Sequence, residues 1–499
     1  MSTVYQNYIG GKWVNAVGGQ TFESCNPART NEVIGIFQRS GAEDVDAAIQ
    51  AAHGALPAWR STPAPLRADI ILETGLLLAK HKEELAQLET REMGKVLEEG
   101  RGDVQEGIDM AKYIAGEGRR MFGETVPSEL RRKFAMGVRQ PIGVCGLITP
   151  WNFPIAIPTW KLFPALVAGN TVVFKPAEDT PAAATHLVQL FEKAGLPGGV
   201  LNLVTGYGPE AGAPIVSDER IRMLSFTGSS EVGKEIAAAA GRSLKKVMLE
   251  LGGKNAQIVM PDANLELALE GALWGAFGTT GQRCTATSRI IVHRDVVDEF
   301  TRRFTALAQN LRVGFGLDDG VQVGPLINAQ QLATVEKYVE IGKQEGARLV
   351  LGGRRLTGGD YDRGYFYQPT VFTDVTRDMR IAQEEIFGPV VAVMPVSSFD
   401  EAIEVANSTK YGLSSAIYTQ DVNQAFSAIE SLEAGIAYVN APTIGAEIQL
   451  PFGGWKATGN GHREAGTSAI KEFTEIKSVY VDYSGKLQRA QIDVETHAS

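Results

Sequence analysis

The sequence is poor in cysteine. Its 499 residues include three, Cys25, Cys145 and Cys284, too few for a disulfide framework, and a reducing cytoplasm is the expected compartment. Histidine is scarce as well. The six, His53, His81, His186, His293, His462 and His497, form no pair at ligand spacing and no zinc pattern with the isolated cysteines, so no metal is expected. Positive charge is in deficit: 48 Lys and Arg against 58 Asp and Glu leave a formal net charge of -10. That argues against a nucleic-acid partner, because phosphate binding needs a basic face. The start, "MSTVYQNYIGGKWVN", lacks a basic segment followed by an apolar run, so no signal peptide is expected. One long uncharged stretch exists, "PIGVCGLITPWNFPIAIPTW" at residues 141–160. Its prolines and Asn152 are incompatible with a continuous helix in lipid, so it reads as buried strand plus loop and no membrane partner is expected.

What is present reads as an α/β protein of two or three domains, the prior for a chain this long. "YIGGKWVNAVGGQTFES" alternates short β-type runs with Gly-Gly pairs and predicts an N-terminal hairpin. From Ala42 to about Gly123, apolar residues recur every three or four positions, a helical pattern. "SELRRKFAMGVRQ", residues 128–140, reads as a strand leaving the body of the domain. Short apolar strands then alternate with amphipathic helices: "GVCGLIT", "TVVFK", "VLNLVTG" and "IRMLSFT" in one block. A second block from about Glu250 holds "NAQIVM", "SRIIVH", "RLVLGG", "VVAVMPV", "SSAIYT" and "GIAYVN". Such alternation implies parallel sheets covered on both faces, with ligands at the carboxyl ends of the strands. The ending "SVYVDYSGKLQRAQID" is a strand-like run and then a polar tail.

Several stretches carry chemistry. In "SFTGSSEVGKEIA" a strand runs into Gly228 and a helix begins, with Gly233 five positions on. Glycines admit a ligand close to the backbone and a helix N-terminus favours phosphate. The spacing is not the usual dinucleotide fingerprint, and an ordinary strand-to-helix turn reads the same way. "TVVFKPAED" ends a strand at Lys175, near Glu178; a lysine suits ribose or phosphate, and a carboxylate suits a ribose 2′-hydroxyl while disfavouring a 2′-phosphate. A solvated charge pair is the plainer reading. Asn152 in "TPWNFP" offers an amide to a developing oxyanion, or merely caps its own turn. Glu250 in "LELGGKN" stands between leucines, which raises a carboxyl pKa toward that of a general base; a polar strand face is the plainer alternative. Cys284, in "GTTGQRCTATSR", has small polar neighbours that leave room for a substrate. A nucleophilic thiolate needs a positive neighbour, a helix N-terminus or backbone amides. Cys145, inside "GVCGLI", fits an inert buried cysteine much better.

Taken together, "PWNFP", "KPAE", "FTGSSEVG", "LELGGKN", "GQRCTATSR", "EEIFGPV" and "PFGGWKATGNGHREAG" occur in the order found in the aldehyde dehydrogenase superfamily, which this chain resembles over nearly its whole length. The resemblance implies a Rossmann-like cofactor-binding domain (residues 1–122 and 141–249), an α/β catalytic domain (250–450), a small β oligomerisation arm (123–140 and 468–482) and a C-terminal tail (483–499). It implies Cys284 as nucleophile, Glu250 as general base and Asn152 as oxyanion donor with the Cys284 amide. NAD is the implied cofactor, with NADP admissible. Lys175 and Glu178 would meet the adenosine ribose, Gly228, Ser229 and Gly233 the phosphates, and Glu385 and Phe387 the nicotinamide end. Trp151, Gly208, Thr227 and Leu251 would line the same cleft.

A glutamate at the base position, which CoA-acylating relatives typically lack, favours a free acid as product. "GQRCTATSR", "REMGK" and "QEEIFGPV" look similar to 2-oxoglutarate semialdehyde dehydrogenases. "GDVQEGID" and "DYSGKLQRAQI" look like the aminoadipate semialdehyde branch, in which Glu106 and Arg283 would match substrate contacts. The expected substrate is a small aldehyde with a distal carboxylate, Arg283 being its candidate anchor through a bidentate guanidinium. A broad-specificity aldehyde dehydrogenase is the alternative. A cysteine hydrolase or thioesterase, or a non-catalytic NAD-binding protein, are the readings of another class. A homodimer or homotetramer is expected.

Overall fold

The computed structural model describes residues 3–493. Strands Asn7–Ile9 and Lys12–Val14 form the N-terminal hairpin. Its turn residues Gly10 and Gly11 have φ of 61° and 84°, the doubly left-handed conformation that two-residue hairpins need. Strand Thr21–Asn26 lies at the end of the stretch expected as one hairpin, but it pairs forward with Arg29–Gln38, so that stretch divides between two. Helices Ala42–Ser61, Ala64–Lys80, Lys82–Glu92 and Leu97–Glu117 fill the helical region.

Five parallel strands follow in one sheet, ordered Lys246–Glu250, Ile221–Thr227, Val144–Ile148, Thr171–Lys175 and Leu201–Leu203, with the N-terminal hairpin added antiparallel at the far edge. Every residue of Thr171–Lys175 is buried, because alternate side chains enter two cores. Val172 and Phe174 pack with Leu162 and Phe163, whereas Val173 packs with Val45, Ile49 and Ile215. Hence the strand reads as an unbroken apolar run rather than an alternating one.

The second sheet runs Arg348–Leu351, Thr370–Thr373, Val390–Val396, Thr287–His293, Asn255–Val259, Ser414–Tyr418 and Ile436–Val439, parallel except at its first strand. Only four residues, 251–254, link the last strand of the first block to the second sheet. The carboxyl ends of Ile221–Thr227, Lys246–Glu250 and Val144–Ile148 therefore face the start of the second sheet, and the candidate site lies at that junction.

A third sheet pairs Thr474–Asp482 with Lys133–Pro141 over nine positions, and the latter with Glu124–Pro127. Two expectations need correction here. Residues 128–132 form a turn, with Leu130 buried and Arg132 at φ 56°, so the strand begins at Lys133. Residues 468–472 belong to the helix Gly466–Glu472, and the strand begins only at Thr474. Beyond Asp482 the chain folds back on the turn, where Gln488 Nε2 donates to the Arg131 carbonyl at 2.9 Å. The last part of the expected tail and His497 lie outside the described residues. No helix among the described residues is long and apolar enough to cross a membrane, and these residues hold no cluster of three or more His, Cys, Asp or Glu arranged for a metal.

Candidate functional site

A cavity of about 290 Å³ opens at the junction. Trp151, Asn152, Thr227, Gly228, Ser229 and Leu251 line it from the first block, with Cys284, Glu385 and Phe387 from the second. Nine sequence-predicted residues thus meet in one place, drawn from segments up to 236 positions apart (151 to 387).

Cys284 follows a tight turn at Gly278–Gly281 that leaves the helix Leu265–Phe277. Its carbonyl is held by Asn255 Nδ2 at 2.8 Å, and a Cβ at Gly253 would lie 2.4 Å from that same oxygen. Gly253 therefore has to be glycine for the two backbones to meet. Burial pushes the Cys284 thiol up to about 12, with Glu385 and Glu250 adding to the rise and the backbone amides of Thr285 and Cys284 opposing it. The amides are thus the thiolate's support. Arg283, the adjacent positive residue, turns to Glu99 instead, with Nη2 donating to Oε1 at 2.9 Å.

Asn152 is buried and donates from Nδ2 to the Gln282 carbonyl at 3.1 Å. One amide hydrogen is thereby fixed beside the turn that carries Cys284, and the second is left to donate. Glu250 ends its strand buried, and neither carboxyl oxygen has a hydrogen-bond partner among the described residues. Its pKa stands well above the ordinary value, chiefly from burial and then from Glu464, with Lys161 and Arg463 opposing. A Cβ at Gly453 would lie 2.6 Å from Glu250 Oε1, so the carboxyl rests against bare backbone.

On the cofactor side, Glu385 Oε1 accepts from the Gly253 amide at 2.9 Å, and burial pushes its carboxyl up to about 7. Gly252 makes room for it: a Cβ there would stand 2.3 Å from Oε2. Phe387, at φ 58°, meets Trp151 edge-on at 5.3 Å. Ser229 caps the helix Ser230–Arg242 by accepting from the Val232 amide. Gly233 lies one turn inside that helix, where a Cβ would stand 2.4 Å from the Leu251 side chain, so its smallness serves packing. Lys175 and Glu178 pair at 3.1 Å at the end of the neighbouring strand, outside the cavity. Gly208 begins a short helical turn, Gly208–Gly212, and also lies outside the cavity.

An aldehyde dehydrogenase family model matches residues 13–479. The chain belongs to the aldehyde dehydrogenase family. Among similar curated proteins, an alpha-ketoglutaric semialdehyde dehydrogenase of Bacillus subtilis is 44% identical over 477 residues, covering 96% of this chain and 98% of the relative. An alpha-ketoglutarate semialdehyde dehydrogenase of Haloferax volcanii is also 44% identical, over 484 residues, covering 97% and 100%. Among solved structures, betaine aldehyde dehydrogenase of Staphylococcus aureus in complex with NAD+ superposes with a TM-score of 0.95 at 35% identity, covering 97% of this chain and 95% of that one.

This aldehyde dehydrogenase also assembles residues the sequence motifs do not flag. Lys161 Nζ donates to Ser225 Oγ at 2.8 Å and to Glu464, making a buried pair beside Glu250. Its signal was available: Lys161 is the one charge in the helix Ala156–Val167. Glu99 carried no comparable signal, since it acts through a partner distant in sequence, whereas Asn255 ends the stretch "LELGGKN" without a role being read for it there. Glu106 lies on the helix Leu97–Glu117, its carboxyl pushed up to about 8 by burial and by Asp103, with Arg283 and Lys95 opposing.

Proposed function

We propose that this chain oxidises a carboxylate-bearing semialdehyde to the corresponding acid, with NAD as cofactor. The observation that carries the reading is Cys284 standing in one cavity with Asn152, Glu385 and the capped helix N-terminus after Thr227. The cavity lining suits the phosphate and nicotinamide end of a dinucleotide, with Lys175 and Glu178 beyond it on the adenosine side. Thr227 Oγ1 is buried there without a hydrogen-bond partner, and the start of Ser230–Arg242 offers unpaired amides to a phosphate. Gly228 and Ser229 would hold the phosphates, Lys175 and Glu178 the adenosine ribose, and Trp151, Glu385 and Phe387 the nicotinamide end. The Glu178 carboxylate disfavours a 2′-phosphate, which selects NAD over NADP. When bound, the nicotinamide accepts a hydride from the aldehyde carbon.

The chain's own residues do the rest. Cys284 gives up its thiol proton to water and adds to the aldehyde carbon as the Sγ thiolate, and the carbonyl electrons move to oxygen. Asn152 Nδ2 and the Cys284 amide hold that oxyanion. Departure of the hydride leaves a thioester on Sγ. Glu250, a carboxyl that burial and Glu464 hold well above the ordinary carboxyl range, takes a proton from water as the water adds to the thioester carbon. The acid leaves and Sγ is freed. Replacing Asn152 by alanine is expected to lower kcat about 100- to 1000-fold, with a smaller change in KM, in steady-state assays.

Two findings support a distal carboxylate on the substrate: the 44% identity to alpha-ketoglutarate semialdehyde dehydrogenases, and Arg283 beside the nucleophile. The Arg283 guanidinium lies over the Phe153 and Trp274 rings at 5.4 and 5.9 Å. Nicotinamide reduction would be followed with 2-oxoglutarate semialdehyde, aminoadipate semialdehyde, glutamate semialdehyde and simple aliphatic aldehydes, each with NAD and NADP. Arg283→Met is expected to erase a carboxylate preference of about tenfold or more, read as the ratio of kcat/KM for carboxylated over uncharged aldehydes. An unchanged preference would remove the anchor. For assembly, Phe134, Ile476, Tyr480 and Val481 expose apolar surface on the third sheet, which supports burial of that arm between subunits of a homodimer or homotetramer.

A further inference from the structure

The turn that delivers Cys284 is strained. Thr279 and Thr280 have φ of 50° and 59°, and Gly281 follows at 69°. Branched side chains are disfavoured in this left-handed region, and two in succession persist only where the surroundings over-determine them. Both threonines are buried. At Gly281 a Cβ would stand 2.2 Å from the Gly388 carbonyl, so the path of the backbone leaves no latitude there.

One carboxylate ties the two ends of this turn together. Glu99, in the first turn of the helix Leu97–Glu117, accepts from the Thr279 amide at 2.8 and 2.9 Å through its two oxygens. Oε1 also accepts from Arg283 Nη2 at 2.9 Å, and Arg283 Nε donates to Thr279 Oγ1 at 2.9 Å. The result is a closed ring of contacts, Glu99 to Thr279 to Arg283 and back. The Arg283–Glu99 pair is largely shielded, each side chain being 12% exposed. The charge of Glu99 thus lies on the same guanidinium that the substrate's distal carboxylate would need.

We propose that Glu99 is a positioning residue with two effects: it clamps the strained turn that sets Cys284, and it limits how much of the Arg283 charge is left for a substrate carboxylate. The second effect rests on the anchor reading of Arg283 given above. Glu99→Gln separates the two. Glutamine keeps an oxygen for the Thr279 amide but removes the charge facing Arg283, whereas Glu99→Ala removes both.

The test uses the full-length protein. Alkylation of Cys284 by neutral iodoacetamide and by anionic iodoacetate is followed on its peptide by mass spectrometry, beside turnover of one uncharged and one carboxylated aldehyde. Glu99→Ala is expected to lower kcat on both aldehydes about tenfold or more, the scale of a misplaced nucleophile, with thermal stabilisation by NAD unchanged. Glu99→Gln is expected to recover most of that loss. It is also expected to raise the iodoacetate-to-iodoacetamide ratio about threefold, the size of a lost partly exposed ion pair, and to lower KM for the carboxylated aldehyde alone. Wild-type kcat in Glu99→Ala, or no recovery in Glu99→Gln, would overturn the clamp. An unchanged alkylation ratio in Glu99→Gln would overturn the charge effect, and it decides the matter alone where Glu99→Ala gives no folded protein. Absence of turnover in the unaltered protein would count against the dehydrogenase reading, while the alkylation ratio would still judge Glu99.

Discussion

Cys284→Ala is expected to abolish aldehyde oxidation, lowering kcat/KM about 10,000-fold or more, because no second thiol lines the cavity. Cys145 offers no replacement: it is fully buried inside the strand Val144–Ile148. Alanine removes one sulfur from the cavity and leaves the Asn255 bond to the residue-284 carbonyl in place, so NAD is expected to stabilise the variant as it does the parent. The paired measurement is nicotinamide absorbance for turnover and thermal unfolding with and without NAD for binding. Turnover surviving in the variant would dismiss Cys284 as nucleophile and the mechanism with it.

Glu250→Gln is expected to stop the cycle at a later point. Steady-state turnover falls about 100- to 10,000-fold, while one equivalent of reduced nicotinamide per site still forms in the first turnover, since hydride transfer precedes hydrolysis. Rapid mixing with absorbance detection separates this burst from the steady rate. The pH dependence has a definite sign. Glu250 serves as a base only when ionised, and burial with Glu464 nearby places its pKa above the ordinary carboxyl range. Where hydrolysis limits the rate, turnover therefore climbs with pH through that raised pKa, and the limb disappears in Glu250→Gln. A variant lacking the burst as well would move Glu250 to an earlier step.

The residues proposed to react were legible because each is a chemically conspicuous side chain in surroundings that do not call for it: a cysteine among small polar residues, a glutamate between leucines, an asparagine in a proline-bracketed apolar run. Their supports were hidden because they are defined by partners. Lys161 stands out as the one charge in its helix, but its partner Glu464, 303 positions away, shows only in the folded chain. Glu99 is an ordinary first-turn glutamate until the chain brings Thr279 to it, 180 positions on. The parallel strands were readable because burial on both faces makes them continuously apolar. Thr370–Thr373, four residues long, has no such run to announce it. The turn at 128–132 reads as strand because Arg132, at φ 56°, takes a left-handed conformation that its own side chain does not favour and its sequence does not announce.

The segment carrying Cys284 is moored to several elements, among them Glu99 through Thr279 and Arg283, Asn152 through the Gln282 carbonyl, and Asn255 through the carbonyls of Cys284 and Ala286. It is consequently not a portable module. A recombination event that imported residues 278–286 from another lineage would inherit the threonine strain without the groups that hold it. Such a segment is expected to travel productively only with the helix, the loop and the strand that grip it, so chimeras with junctions close to Cys284 are expected to lose its placement.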